Sequence, residues 1–359
     1  MRITHCHLHT FTHDHTPDRY VPWPLNRLVR VEWIRRPLIW LAQKLDPERH
    51  SQLARYAQIV DVSFRKSQAD VFAIVQGFYP PDTRFVILPM DMTFMGAGPV
   101  PEPIDVQHEK LAELSAGSNG AVIPFAAVDP RHGEEIVETT KQRLQHGFQG
   151  LKLYPALGYH PCDKRLRPLY AYAEEQGYPV MAHCSHRGSN YRGEVTEAMR
   201  EDPVTGQPHP GDLQAILDWY TAPDSYLPIL KDFPNLRICL AHWGGDEEWA
   251  RYVAAQHDAD REGNWAARIF ELIAGGEHPN LWTDISYTLF ADDEFVYLLK
   301  ILLADERVRS RVLFGSDFYV VDNAQLEERR RSVRIRAVLG EELFRTIAEE
   351  NPARYLRDG

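Results

Sequence analysis

The sequence predicts an α/β fold, a (β/α)8 TIM barrel with a helical insertion after its first strand. Three observations predict it. Short apolar runs recur along the chain and, with the opening stretch, number eight. Amphipathic stretches at helical spacing separate them. The runs are continuous rather than alternating, as in parallel strands buried on both faces. Strand–helix alternation on this scale argues for a barrel, with a doubly wound open sheet as the alternative.

Taken in order, the first strand is Arg2-Ile3-Thr4-His5-Cys6-His7-Leu8-His9-Thr10. Residues 11–83 form a long excursion, with helical patterns near 26–44, 48–59 and 64–77. It is too long for an ordinary connection and reads as a helical insertion within one domain spanning 1–359. The later strands are expected at 85–88, 121–125, 150–154, 179–183, 237–242, 281–284 and 311–315. Helical patterns near 105–117, 132–146, 164–176, 211–232, 246–257, 265–275 and 291–304 lie between them, and helices near 324–338 and 340–357 close the chain. Two loops are long or rich in Gly and Pro, 89–104 and 185–210, and in a barrel both lie over the active-site face.

Composition narrows the function classes. An apolar fraction of 44% supplies a sizeable core. A net charge of −11, with no long basic run, argues against nucleic-acid binding. The arginines at 329–331, 334 and 336 read as a solvated or salt-bridged helical face. No apolar run approaches the ~18 residues of a membrane span, and no signal peptide is visible. The four cysteines have no paired spacing, which favours a reducing, cytoplasmic setting. An apolar stripe over 26–44 would suit a homodimer contact.

The chemistry lies where polar residues fall at strand ends. Strand one carries His5, His7 and His9 on alternate residues, so all three share a face if the strand is regular. Lys152 lies on strand four, His183 and His242 end strands five and six, Asp284 ends strand seven, and Asp317 follows strand eight. Each has a bland reading: His183 as a hydrogen-bonded core histidine, His242 as a turn cap, Asp317 as a helix cap, Lys152 as a side chain snorkelling to solvent, Asp284 as a residue facing a helix. A barrel, however, gathers all these strand ends at one mouth. Several histidines and an aspartate there make a metal site with open positions, a catalytic rather than a structural pattern.

Five blocks carry a resemblance: His5-Cys6-His7; Gly150-Leu151-Lys152-Leu153-Tyr154-Pro155; Met181-Ala182-His183-Cys184-Ser185; Leu240-Ala241-His242-Trp243-Gly244-Gly245; and Leu313-Phe314-Gly315-Ser316-Asp317. In this order they resemble the amidohydrolase superfamily, specifically its amidohydrolase-2 branch of metal-dependent hydrolases. The closing Asn351-Pro352-Ala353-Arg354-Tyr355-Leu356 resembles the last helix of that family. The resemblance implies metal ligands at His5, His7, His183 and Asp317, with His7 and His9 as the other register of the strand-one pair. It implies that His242 is a second-metal ligand or a catalytic group, and that Lys152 sits where some relatives place a carbamylated lysine. The cofactor implied is one or two divalent ions, most simply Zn2+.

The expected activity is hydrolysis of an ester, lactone or amide of a small molecule by metal-activated water. Asp317 would move the proton and His242 would polarise the scissile carbonyl. Arg187 and Arg192 are candidate anchors for a substrate carboxylate. The alternatives are a non-oxidative decarboxylase of the same branch and an inactive metal-binding barrel.

Overall fold

The computed structural model describes residues 1–20, 65, 67–318 and 328–356. The strands are β1 (Thr4–Leu8), β2 (Arg84–Ile87), β3 (Val122–Pro124), β4 (Ala126–Val128), β5 (Leu151–Leu153), β6 (Val180–Ser185), β7 (Ile238–Gly244), β8 (Leu281–Asp284) and β9 (Val312–Leu313). All pairings are parallel, in the orders β1-β2-β3 and β4 through β9. The expected run at 121–125 holds β3, and beyond Phe125 the same strand continues as β4 to Val128. The Phe125 N–H donates to Ile87 O on one side, and the Ala126 N–H donates to Gly150 O on the other. At the remaining seam the Cys6 N–H donates to Phe314 O at 2.7 Å and the Asp317 N–H to His7 O at 3.1 Å. These bonds close an eight-stranded barrel, as the sequence predicts.

Helices cover the outside: α1 (Gln68–Gln76), α2 (Ile104–Gly117), α3 (Glu135–Gln145), α4 (Arg167–Gln176), α5 (Leu213–Thr221), α6 (Asp246–Ala254), α7 (Trp265–Gly275), α8 (Asp293–Leu302), α9 (Glu328–Leu339) and α10 (Asn351–Leu356). Their ends follow local chemistry. Asn264 accepts from the Ala267 N–H to start α7, and Gly276, at φ +78°, ends it. The arginine-rich face of α9 is salt-bridged, with Arg331 and Arg334 on Asp293 and Arg336 on Glu341. The patterns near 26–44 and 48–59, with the proposed dimer stripe, lie outside the described residues.

Alternation along the strands sorts the side chains into two layers. Phe85, Ile87, Leu151, Leu153, Val180 and Ile238 face the helices. Cys6, Val86, Ile123, Met181, Cys239 and Leu313 fill the barrel, and Tyr355 and Leu356 of α10 pack into the same cluster. Burying each large apolar side chain contributes roughly 1.5–3 kcal/mol. Asn351 anchors α10 there, its Nδ2 donating to Arg309 O and Val312 O at 2.8 and 2.7 Å. Lys152 lies between the outward Leu151 and Leu153, so it points inward, above this apolar filling.

Strand β1 departs from the regular strand expected. Its partners on β2 run Thr4 to Arg84, His5 to Phe85 and Leu8 to Ile87, so three steps on β1 oppose two on β2. Such an irregularity re-aims side chains. Here it divides the three histidines that a regular strand would keep on one face.

The seam between β1 and the residues after β9 is tight. A Cβ on Gly315 would lie 2.7 Å from His7 Cβ and 2.8 Å from His7 N. Gly315→Ala is therefore expected to destabilise the fold by about 1–3 kcal/mol, read as a lower urea midpoint with the slope unchanged.

Candidate metal centre

The mouth of the barrel is built from the ends of β1, β5, β6, β7 and β8 and the turn after β9. Among the five described non-glycine residues with left-handed φ, four lie there: His242 (+67°), Trp243 (+44°), Tyr287 (+56°) and Asp317 (+57°). Strain of this kind persists only where surrounding bonds enforce it, and it concentrates at functional sites. Trp243 is held by its indole N–H on Ala266 O and by the Trp249 indole N–H on its carbonyl.

His7 is fully buried, and its Nδ1 lies 2.8 Å from Asp284 Oδ2. His9 Nδ1 meets Leu88 O at 2.5 Å. Each ring therefore spends its N–H on an acceptor and keeps a lone pair on Nε2. Those two Nε2 atoms face each other at 3.4 Å. Asp317 Oδ1 lies 3.8 Å from His9 Nε2 and has no hydrogen-bond partner among the described residues. Burial lowers the pKa of both rings, so a shared proton does not resolve the contact. Two facing lone pairs and a buried carboxylate oxygen fit a cation. The ligand atoms of His7, His9 and Asp317 all lie within 4.8 Å of one another.

His7, His242 and Asp284 form a second such group, but its carboxylate is already engaged. Asp284 Oδ1 accepts from the His242 N–H at 2.9 Å and the Ser286 N–H at 3.0 Å, while Oδ2 takes His7 Nδ1. Burial alone would raise its pKa, but His7 and His242 hold it well below the usual carboxylate range. Asp284 is thus the carboxylate that fixes the tautomer and orientation of His7. Sequence reading ranked it below the other strand-end residues. The available signal was its place at the end of its run, Leu281-Trp282-Thr283-Asp284. Ser286, whose Oγ lies 3.1 Å from His7 Nδ1 and 2.9 Å from His242 Nδ1, carried no signal of its own.

The other expected residues divide. His5 does not pair with His7. Still in register opposite Phe85, ahead of the slip in β1, its ring lies on the helix side among Tyr79, Phe85 and Phe314, and its Nε2 meets Ser316. The strand-one rings whose Nε2 atoms face each other are those of His7 and His9. His183 also stands outside both groups. Its Nε2 meets Arg187 O at 2.8 Å, its Nδ1 lies 3.1 Å from His242 Nε2, and its ring stacks on Tyr154 at 4.2 Å. His242 is buried beside it, and burial pushes its pKa down to about 3. Lys152 is 1% exposed, and its Nζ has no hydrogen-bond partner among the described residues. It sits 5.4 Å from the Tyr154 ring. Burial lowers the Lys152 pKa and raises that of Asp317. The two candidate anchors hold loops instead: Arg187 binds Glu247, and Arg192 donates to Tyr20 O at 2.7 Å over the Tyr20 ring.

The two loops expected over the mouth are laced together. The Arg192 N–H donates to Met95 O and the Tyr191 N–H to Ala156 O, both at 2.8 Å. A Cβ on Gly96 would lie 2.4 Å from Gly193 N.

The sequence model of the family described as amidohydrolase, of the amidohydrolase-2 type, matches residues 6–357. The chain belongs to the amidohydrolase family. No curated protein matched it in sequence. Among solved structures, a probable 2-pyrone-4,6-dicarboxylic acid hydrolase from Acinetobacter baumannii aligns with TM-score 0.57 and 10% identity, covering 99% of this chain and 100% of that one. A 2,6-dihydroxybenzoate decarboxylase from Rhizobium aligns with TM-score 0.56 and 14% identity, covering 100% of both chains. A 5-carboxyvanillate decarboxylase from Novosphingobium aromaticivorans, complexed with manganese and a nitrobenzoic acid, aligns with TM-score 0.50 and 12% identity over 99% of this chain and 96% of that one. At these identities the likeness is one of fold.

Beside this amidohydrolase mouth, His186 braces the β6 loop. It lies 2.9 Å from Asp218 and 3.3 Å from Glu248, and it stacks on Trp265 at 3.8 Å. Burial opposes its charge, but the two carboxylates outweigh burial and hold its pKa at about 9. Its stabilising contribution is full below its ordinary value of 6.5 and is lost as pH rises through 9. Unfolding free energy should fall across that window in the wild type, and the fall should be smaller in His186→Gln, measured by urea titration at stepped pH. Equal pH dependence in the two proteins would refute the assignment.

Proposed function

We propose that this amidohydrolase is a divalent-metal-dependent hydrolase that cleaves an ester, lactone or amide of a small anionic molecule. One observation carries the reading: the facing Nε2 lone pairs of His7 and His9, with Asp317 Oδ1 unpartnered beside them. When bound there, a divalent ion supplies Lewis acidity and lowers the pKa of water toward neutrality. The protein supplies the rest. Asp284 and Leu88 O hold the two histidine tautomers. Asp317 takes the proton of the attacking water and returns it to the leaving group. His242, whose single ring N–H now faces His183 Nδ1 at 3.1 Å, would turn it toward the developing oxyanion. Lys152, buried and without a hydrogen-bond partner among the described residues, is the anchor for a substrate carboxylate. Zn2+ is the simplest ion for such a set, and manganese is the one bound by a decarboxylase of the same fold.

Decarboxylation is the second reading, favoured by the fold likeness to two decarboxylases. The protein loaded with Zn2+ or Mn2+ is to be tested on a panel of lactones, esters, amides and aromatic carboxylic acids, following acid release and carbon dioxide release separately. Metal-dependent acid release supports hydrolysis. Carbon dioxide release without acid release would replace it with the second reading. Failure of the purified protein to bind any divalent ion would overturn both.

A further inference from the structure

The Gly315-Ser316-Asp317 turn carries a carboxylate into the mouth, yet Asp317 holds a left-handed backbone, φ +57°. Without a glycine's freedom, that conformation must be held by its neighbours. Three backbone bonds do so. The Asp317 N–H donates to His7 O at 3.1 Å, and Ser316 O accepts from the Tyr287 N–H at 2.8 Å. The Ser316 N–H donates to the side chain of His5, at 2.9 Å from Nε2. The third bond is unusual, since a side chain from the opposite end of the chain takes the place of a backbone acceptor.

The surroundings of His5 keep Nε2 an acceptor. The ring is fully buried, and the Ser316 N–H aimed at Nε2 leaves that nitrogen only the acceptor role. Tyr79 and Phe314 lie edge-on at 5.2 and 5.6 Å, and Phe85 lies tilted at 5.5 Å. Ser316 Oγ lies 2.8 Å from the same nitrogen. Glu328 Oε1 is 3.9 Å away and accepts from the Tyr79 hydroxyl, so it faces the same enclosure. A ring in such a cage cannot rotate away from the turn.

We propose that His5 is a positioning residue for the metal centre. By accepting the Ser316 N–H it fixes the turn that aims Asp317 at His7 and His9. The inference rests on the proposed metal site and adds a part to it. The strand-one histidine outside the proposed ligand group would act on that group through the backbone.

The test is divalent affinity, measured by calorimetric titration of the apo-protein with Zn2+ or Mn2+, with folding followed by circular dichroism. His5→Phe keeps a ring in the aromatic cage and removes the acceptor. It is expected to fold and to lose about 10–100-fold in affinity, the usual cost of losing a group that orients a ligand. His5→Gln restores a side-chain acceptor and is expected to recover most of that loss. Should His5→Phe fail to fold, Ser316→Pro tests the same bond by deleting the N–H, and it must lower affinity to a similar extent. Wild-type affinity in a folded His5→Phe or Ser316→Pro variant would overturn the inference and leave the metal reading intact. A wild type without divalent binding would overturn the metal reading, and the inference would fall with it. A loss of thermal stability with unchanged affinity would show a structural role alone and would also overturn the inference.

Discussion

His9→Ala and Asp317→Ala are each expected to lower divalent affinity by at least about 100-fold, beyond the usual cost of an outer contact, and to abolish turnover. The reason is how the nitrogens are committed. His7 and His9 each donate Nδ1–H to an oxygen, so each has one nitrogen left for an ion. Removing His9 leaves His7 Nε2 facing an apolar gap. Removing the Asp317 carboxylate takes away the charge that offsets a cation in a buried site, where an uncompensated charge is costly. His183→Ala should lose less affinity, because His183 is bonded to His242 and Arg187 O rather than facing this group. Titration of the three variants with Zn2+ checks the order. If His183→Ala lost as much as His9→Ala, His183 would return to the ligand set.

Asp284→Ala should be the most destabilising change at the mouth, by about 3–5 kcal/mol. The carboxylate is fully buried and accepts from His7 Nδ1, from the backbone N–H of His242 and from that of Ser286. Alanine leaves the two backbone donors without this acceptor and His7 Nδ1 with only Ser286 Oγ beside it. It also releases the left-handed His242, so the end of β7 loses its brace. Asp284→Asn keeps the shape and one acceptor oxygen and should cost less. Denaturant midpoints of the two variants test this. A midpoint for Asp284→Ala within about 1 kcal/mol of wild type, the ordinary size of a single-residue effect, would remove Asp284 from the centre of the network.

Much of this was visible in the residues. The eight apolar runs became the strands, because a parallel barrel buries both strand faces and leaves a continuous apolar signal. His7, His242 and Asp317 were legible as mouth residues, since each ends or follows such a run and a barrel collects those ends at one rim. The break at Phe125 was not legible, because nothing in Ala121-Val122-Ile123-Pro124-Phe125 marks where pairing passes from one neighbour to the other. Asp284 was underweighted because its importance lies in the donors around it, and these come from β1, β7 and its own turn.

The opening strand separates the two kinds of information most clearly. The order of the residues by itself places an imidazole-rich strand first among eight, and so brings histidines to the mouth of a barrel. Which of the three rings face one another was decided by the tertiary structure. Alternation predicts a common face for His5, His7 and His9 only if the strand is regular, and its register against β2 slips between His5 and Leu8. That slip depends on the partner strand and on Gly315 packed against His7, neither of which is local to the stretch. It sends His7 and His9 to the mouth, while His5, ahead of the slip and opposite Phe85, stays beside the turn that carries Asp317.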